Sequence, residues 1–185
     1  MTVIAVLDTE TSRHPSHLPN RIVEIGIILW DAESDAPIAE IETLVNPNSV
    51  IEEGSSRIHG LVSSDLEGAP SFREIAEWLP HFLDERVVCG FNVSFDSRML
   101  NYEFSRVGSD FEVTQTFCAR YGISGNNKPL GDVCEDQRFK IKNAHTALGD
   151  ARATLQVLRN YGLHRVLEEA KGAKHRWISR SDDLR

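Results

Sequence analysis

The first apolar run of the chain ends in two carboxylates. Val3 to Leu7 is followed by Asp8-Thr9-Glu10, and in a β-strand residues i and i+2 point to the same face. Two acids therefore stand side by side at a strand end. They repel each other unless a cation, a bound proton or wide solvent exposure relieves them. Alone, an Asp-x-Glu is also compatible with a polar strand end beside a turn, so acids elsewhere in the chain decide what this pair does.

The chain has 185 residues, 41% of them hydrophobic, with no repeat or low-complexity tract, which bounds it to a compact domain of ordinary size. We expect one folded domain over residues 1–163 and a C-terminal helix with a polar, partly basic tail over 164–185. Val3 to Leu7 is too short to span a membrane and lacks the basic flank of a signal peptide, so no membrane association and a cytoplasmic location are expected. Cys89, Cys118 and Cys134 are widely spaced and odd in number, the pattern of buried thiols rather than of a disulfide framework or a metal knuckle. The net charge of -8 argues against broad electrostatic adhesion to nucleic acid. It leaves room for an enzyme whose phosphate contact is carried by metal ions in one acidic cleft.

After Glu10, residues 11–20 contain two prolines and small polar residues and form a loop. His14 and His17 lie in it, but no third or fourth ligand is near, so zinc is not expected. Ile22 to Trp30 and Ile38 to Val45 alternate around β-branched residues and complete a three-stranded meander. A long loop then runs from Asn46 to Ile58-His59-Gly60-Leu61, with a helical turn over Ser63 to Leu66. Ser71 and Glu74 have the spacing of a capping box opening one helix to about Leu83. A buried strand over Arg86 to Phe91 leads through Asn92 into a helix to about Val107. Glu112 to Thr116 reads as another strand, Gly122 to Pro129 as a loop and Leu130 to Gln137 as a short helix. A helix then runs to Tyr161 with Ala151, Thr154, Leu155 and Leu158 inward, and another begins at His164. The order predicts an α/β fold with a mixed five-stranded sheet flanked by helices.

Asp96 and Asp150 each open a predicted helix, where an acid complements the dipole. Together with Asp8 and Glu10 they supply hard oxygen ligands suited to Mg²⁺ or Mn²⁺. Two such ions roughly 3.5–4 Å apart stabilise both the attacking and the leaving oxygen of a phosphoryl displacement. His145 has the chemistry to take the proton from an attacking water. Five residues of regular helix would leave it about 140° around the axis from Asp150. It must therefore stand on the loop or first turn entering the helix.

Asp8-Thr9-Glu10, Asn92-Val93-Ser94-Phe95-Asp96 and His145-Thr146-Ala147-Leu148-Gly149-Asp150-Ala151 resemble the three successive motifs of the DnaQ-like DEDDh exonucleases. Ile58-His59-Gly60-Leu61 and the strand before Asn92 also resemble that superfamily, and the likeness covers roughly residues 1–162. It implies a ribonuclease H-like fold and 3′-to-5′ release of nucleoside monophosphates. In that frame Asp8, Glu10, Asp96 and Asp150 bind two divalent cations, Mg²⁺ or Mn²⁺, with Asp8 bridging them and His145 as general base. Thr9 and Thr11 lie against the terminal nucleotide, Glu10 meets the 3′ hydroxyl, Asn92 braces the site, and His59 and Phe95 lie near the last nucleotides. For Phe95, core packing is an equal expectation.

The chain departs from the superfamily after Thr11, where Ser12-Arg13-His14 replace the usual Gly and apolar wedge, leaving Leu18 or no residue in that role. The expected partners are single-stranded DNA or RNA 3′ ends. No clamp-binding peptide is visible in the tail, so a polymerase partner is not indicated and a stand-alone nuclease is expected. The alternative is a binding or scaffold protein that kept the fold and lost turnover, but no acid or histidine of the set is missing. Periodicity settles neither oligomeric state nor the choice between DNA and RNA.

Overall fold

The computed structural model describes residues 2–13, 20–123 and 128–173. Strands β1 (Val3–Thr11), β2 (Ile22–Asp31) and β3 (Ala36–Leu44) form an antiparallel meander. There follow α1 (Glu53–His59), a 3₁₀ turn (Ser63–Leu66), α2 (Phe72–Ile75), α3 (Pro80–Leu83), β4 (Val87–Gly90), α4 (Val93–Val107), β5 (Thr116–Cys118), α5 (Ala119–Gly122), α6 (Leu130–Asp136), α7 (Ala147–Tyr161) and α8 (Leu163–Ala173). The sheet order is β3-β2-β1-β4-β5, with β4 parallel to β1 and β5 parallel to β4. This is the mixed five-stranded α/β sheet that the order of elements predicts. Among the described residues no helix is long and apolar enough to cross a membrane.

The period of two in β1 sorts its side chains between two cores. Ile4 and Val6 pack with Ile28, Leu155 and Leu158 on the α7 side. Ala5 and Leu7 pack with Ile25, Ile27, Phe72, Leu100 and Phe104 on the α4 side. Within the second core Phe104 meets Phe72 and Phe111 edge-on, with centroids 5.1 and 4.9 Å apart, the geometry favoured by ring quadrupoles. Leu163, Val166 and Ala170 join α8 to the first core.

Four local expectations change. Residues 53–59, read as loop, form α1, which ends where Gly60 turns left-handed at φ 80°. Gly54, Ser55 and Ser56 supply little helix propensity, and the helix gains by burying Ser55 and His59 one turn apart. The single helix expected over 71–83 is two one-turn helices. The Glu74 carboxylate accepts from the Ser71 N–H as the capping box predicts, while the Ser71 hydroxyl donates to the same carboxylate instead of capping the helix, and Pro80 has no N–H to continue the ladder and instead starts α3. The last strand starts at Thr116 rather than ending there. Asn101 draws Val113 out of the sheet by accepting from its N–H at 2.8 Å, and pairing with β4 begins at Val88↔Thr116. Residues 119–122, at the edge of the expected loop, form α5.

Gly26 controls how α7 meets the sheet. It stands opposite Asp8 on β2, on the face shared with Ile28, and a Cβ there would lie 2.3 Å from the Leu148 nitrogen and 2.4 Å from the Ala147 carbonyl carbon. Because both contacts are backbone, Gly26→Ala must push the start of α7 off β2. We expect a loss of about 3 kcal/mol, the upper end of overpacking effects. Gly54→Ala, where a Cβ meets nothing within 4 Å, should change stability by no more than about 1 kcal/mol. Urea unfolding of the two variants checks the contrast.

Candidate active site

β1 is longer than the strand beside it. It pairs with β4 over Ile4–Val6, whereas it continues along β2 to Thr11. Its outer edge beyond Val6 is met instead by the start of α4. Asp96, the fourth residue of α4 and buried, accepts from the Thr9 hydroxyl at 2.7 Å. A helix side chain thus meets the strand edge that a further strand would otherwise cover.

Thr9 points to the α4 side, so Asp8 and Glu10 point to the α7 side. There α7 brings Asp150, its fourth residue, against them. Asp8, Glu10 and Asp150 each offer a carboxylate oxygen, all within 4.8 Å of one another. All three are half-buried. Asp96 stands apart from this trio, linked to it through Thr9 and close enough to be the largest single charge acting on Asp8.

His145 precedes α7, as the helical geometry requires. Its backbone is left-handed at φ 64°, its side chain is exposed, and its N–H donates to Asp150 Oδ1 at 3.4 Å. Asn143, two residues before, is also left-handed at φ 56°. Two such residues close together, neither a glycine, carry conformational strain of the kind that gathers at functional sites. Thr146 caps α7 by accepting from the Gly149 N–H at 3.1 Å.

Burial and mutual repulsion act together on the acids. Burial is the largest cause of a pKa for Asp8 well above the ordinary carboxylate range, followed by the charges of Asp96, Glu10, Asp150 and Glu24. Glu10 is pushed up to about 8 by burial first, then by Asp150, Glu24 and Asp96. Asp96 is also raised by burial, against the opposing effect of the Thr9 hydrogen bonds. Burial raises Asp150 as well, offset in part by the His145 N–H and imidazole. Clustered hard oxygens whose charged forms are disfavoured by burial, and for Asp8 and Glu10 by neighbouring charge as well, form a donor set that fits a divalent cation, whose charge would reverse that balance.

The remaining predicted residues surround this centre. The Thr11 hydroxyl accepts from Asn20 Nδ2 at 3.1 Å and donates to the Arg13 carbonyl at 3.2 Å. His59 is buried, its Nδ1 accepting from the Leu61 N–H at 3.1 Å, which leaves Nε2 to donate to the Thr11 carbonyl at 3.3 Å. Burial lowers its pKa, consistent with a neutral ring tying α1 to the end of β1. Asn92 stands immediately before α4, and its Oδ1 accepts from the Ser94 hydroxyl at 3.4 Å. Phe95 is half-buried against the α4-side core. His14, His17 and Leu18 lie outside the described residues.

One residue of the site escaped the sequence reading. Glu24 stands opposite Glu10 in the β1–β2 register, is buried, and accepts from the Ala147 N–H at 3.0 Å. A charged residue inside the apolar run Ile22 to Trp30 was the available signal, but only the strand register reveals what it faces.

With this geometry in place, comparison with known proteins identifies the lineage. A family model described as Exonuclease (RNase T) matches residues 5–158. The chain belongs to this exonuclease family. It is 34% identical over 161 residues to the DNA polymerase III subunit epsilon of Buchnera aphidicola subsp. Schizaphis graminum, covering 80% of this chain and 67% of that protein. Its fold matches exonuclease I with a TM-score of 0.75 at 16% identity, over 94% of this chain and 44% of that one. It matches the nuclease domain of 3′hExo, a DEDDh family member bound to rAMP, with a TM-score of 0.71 at 12% identity, over 91% and 94%. The chain thus spans about two thirds of the epsilon subunit and under half of exonuclease I. The ribonuclease H-like fold and membership of the DnaQ-like 3′–5′ exonuclease superfamily, both implied by the three motifs, hold.

The raised acids give a sign for pH dependence. A carboxyl whose folded pKa exceeds its unfolded value stabilises the fold at low pH, and that contribution is lost as pH rises through the folded pKa. With Glu10 moving from 4.5 to about 8, the cation-free protein should lose melting temperature between about pH 5 and 8. Added Mn²⁺ should restore it most at the upper end. Thermal melts with chelator or Mn²⁺ across this range check the trend, which Asp8→Asn or Glu10→Gln should flatten.

Proposed function

We propose that the chain is a 3′–5′ exonuclease that hydrolyses the terminal phosphodiester of single-stranded DNA or short RNA and releases nucleoside 5′-monophosphates. The observation that carries this reading is the convergence of Asp8, Glu10 and Asp150, with Asp96 joined through Thr9, at the end of β1 where His145 enters. Asp8, Glu10, Asp96 and Asp150 would hold two Mg²⁺ or Mn²⁺ ions, and Asp8 is the acid that feels the charges of all three others. When bound, such ions supply Lewis-acid stabilisation to the attacking and leaving oxygens of an in-line displacement.

The chain's own groups do the rest. His145, in its neutral form, accepts the proton of the attacking water, and its exposed ring leaves room for that water and the substrate. Glu10 meets the 3′ hydroxyl, while Thr9 and Thr11 line the terminal nucleotide. Asn92 and Phe95 border the same end of the cleft. Both His59 nitrogens are engaged within the chain, so its contribution to substrate is through the position of Thr11 and the face of its ring. The three free cysteines suit a reducing compartment such as the cytoplasm.

A second reading places the same activity beside a polymerase. Its support is the match to a DNA polymerase III epsilon subunit, and co-purification of a polymerase with the tagged chain from its own cells would favour it.

Incubation with end-labelled DNA and RNA single strands and Mg²⁺ or Mn²⁺ tests the main proposal. Mononucleotides should be released stepwise, and Asp8→Ala should abolish release. His145→Ala should lower the rate about 10²–10⁴-fold, the usual contribution of a general base, while Mn²⁺ affinity stays close to that of the unaltered chain. No release with any divalent cation, or undiminished release by Asp8→Ala, would overturn the reading.

A further inference from the structure

The first N–H groups of an α-helix have no acceptor within the helix and need one from elsewhere when buried. At the start of α7 the third residue is served by Thr146, but the first, Ala147, is fully buried and turns to a different strand. Its N–H donates to Glu24 Oε2 at 3.0 Å. Glu24 is itself only 6% exposed and sits directly across β1–β2 from Glu10. One side chain therefore runs from the strand position beside one acid of the site to the helix end that carries another. Asp150 follows Ala147 by three residues and His145 precedes it by two. Gly26, the next residue on the same face of β2, lets the helix come down to backbone contact. Gly26 sets how close α7 lies, and Glu24 is the directional bond that fixes where along the strand it lies.

We propose that Glu24 is a positioning residue of this exonuclease. By accepting the Ala147 N–H it holds the first turn of α7 where Asp150 meets Asp8 and Glu10 and from which His145 acts. This rests on the exonuclease reading for its consequence in turnover, though not for its consequence in structure. Glu24 also adds a negative charge beside the acids, raising Asp8 and Glu10, so the test must separate acceptor from charge.

Glu24→Gln and Glu24→Met do so, since both remove the charge and Gln alone keeps an acceptor at nearly the same volume. Three quantities are compared in the full chain: amide exchange at Ala147 by NMR, Mn²⁺ affinity by electron paramagnetic resonance, and kcat and KM on an end-labelled single strand. For Glu24→Met we expect loss of Ala147 protection, Mn²⁺ affinity about 10-fold below that of Glu24→Gln, and kcat about 10–100-fold below the unaltered chain, the range for residues that orient metal ligands. KM should stay within about threefold, because the binding surface is untouched. Glu24→Gln should keep Ala147 protected and kcat within about threefold of the unaltered chain.

Equal kcat in Glu24→Met and the unaltered chain, or a Gln variant as impaired as the Met variant, would overturn the proposal. Should Glu24→Met fail to fold, Glu24→Gln decides alone, and a loss of kcat greater than about 10-fold would tell against the acceptor role. If the unaltered chain releases no mononucleotide, the exonuclease reading fails by itself, and the exchange and Mn²⁺ comparisons still decide whether Glu24 sets the site.

Discussion

β1 runs past its parallel neighbour, and the unpaired edge it leaves is what the site is built on. Beyond Val6 the strand has β2 on one side and no strand on the other. The strand edge left there is met by a carboxylate, Asp96, to which the Thr9 hydroxyl donates at 2.7 Å. That bond draws the start of α4 to the strand end and sets a buried acid next to Asp8. On the opposite face the absence of a side chain at Gly26 admits the start of α7, and with it Asp150. Acids carried by elements on both faces of the sheet are thus brought to the carboxyl-terminal part of β1, near where open α/β sheets generally hold their ligands.

An arrangement of this kind works against its own stability, because burial raises all four acids and the charges of Asp96 and Asp150 raise Asp8 and Glu10 further. It persists because the elements carrying them are fixed elsewhere. α7 is anchored by Ala151, Leu155 and Leu158 in the first core, and α4 by Leu100 and Phe104 in the second. The entry to β2 is held as firmly. Glu103 on α4, fully buried, accepts from Arg21 Nε at 2.6 Å and Arg106 Nη1 at 2.9 Å, while Arg21 Nη1 donates to the Pro47 carbonyl at 2.7 Å. Asn20 gathers the Arg13 and Arg21 amides with the Thr11 hydroxyl. Arg13 and Asn20 are therefore held to the end of β1 by hydrogen bonds that are buried or part-buried, whose partners would be expensive to leave unpaired.

Those elements whose placement depends on parity or on a local start signal were legible in the sequence. Asp8 and Glu10 share a face because they are two apart on a strand. Asp96 and Asp150 lie in the first turns of helices whose apolar stripes are plain. His145 had to precede its helix because five residues of helix would have turned it away. What stayed hidden depends on distance across the fold. The Thr9–Asp96 bond follows from β4 stopping short, and Glu24 gains its meaning from the register Glu10↔Glu24, which alternation alone does not specify. The later start of β5 follows from Asn101 capturing Val113, and α1 from the burial of Ser55 and His59, both long-range effects that override weak local preference.

The charge of the chain takes on a different meaning once the site is placed. A net charge of -8 opposes the approach of a polyanionic substrate. Arg21, Arg57, Arg106, Arg152 and Arg159 are moreover each paired with a carboxylate rather than left to meet phosphate. On the exonuclease reading, the attraction to phosphate then comes from cations gathered by the acids and is confined to the strand end. A long duplex offers such a site little that is not repelled, whereas a single terminal phosphodiester can enter it and meet concentrated positive charge. Recognition of an end, rather than of a length of nucleic acid, follows from placing the attractive charge in one half-buried cluster on an otherwise acidic body.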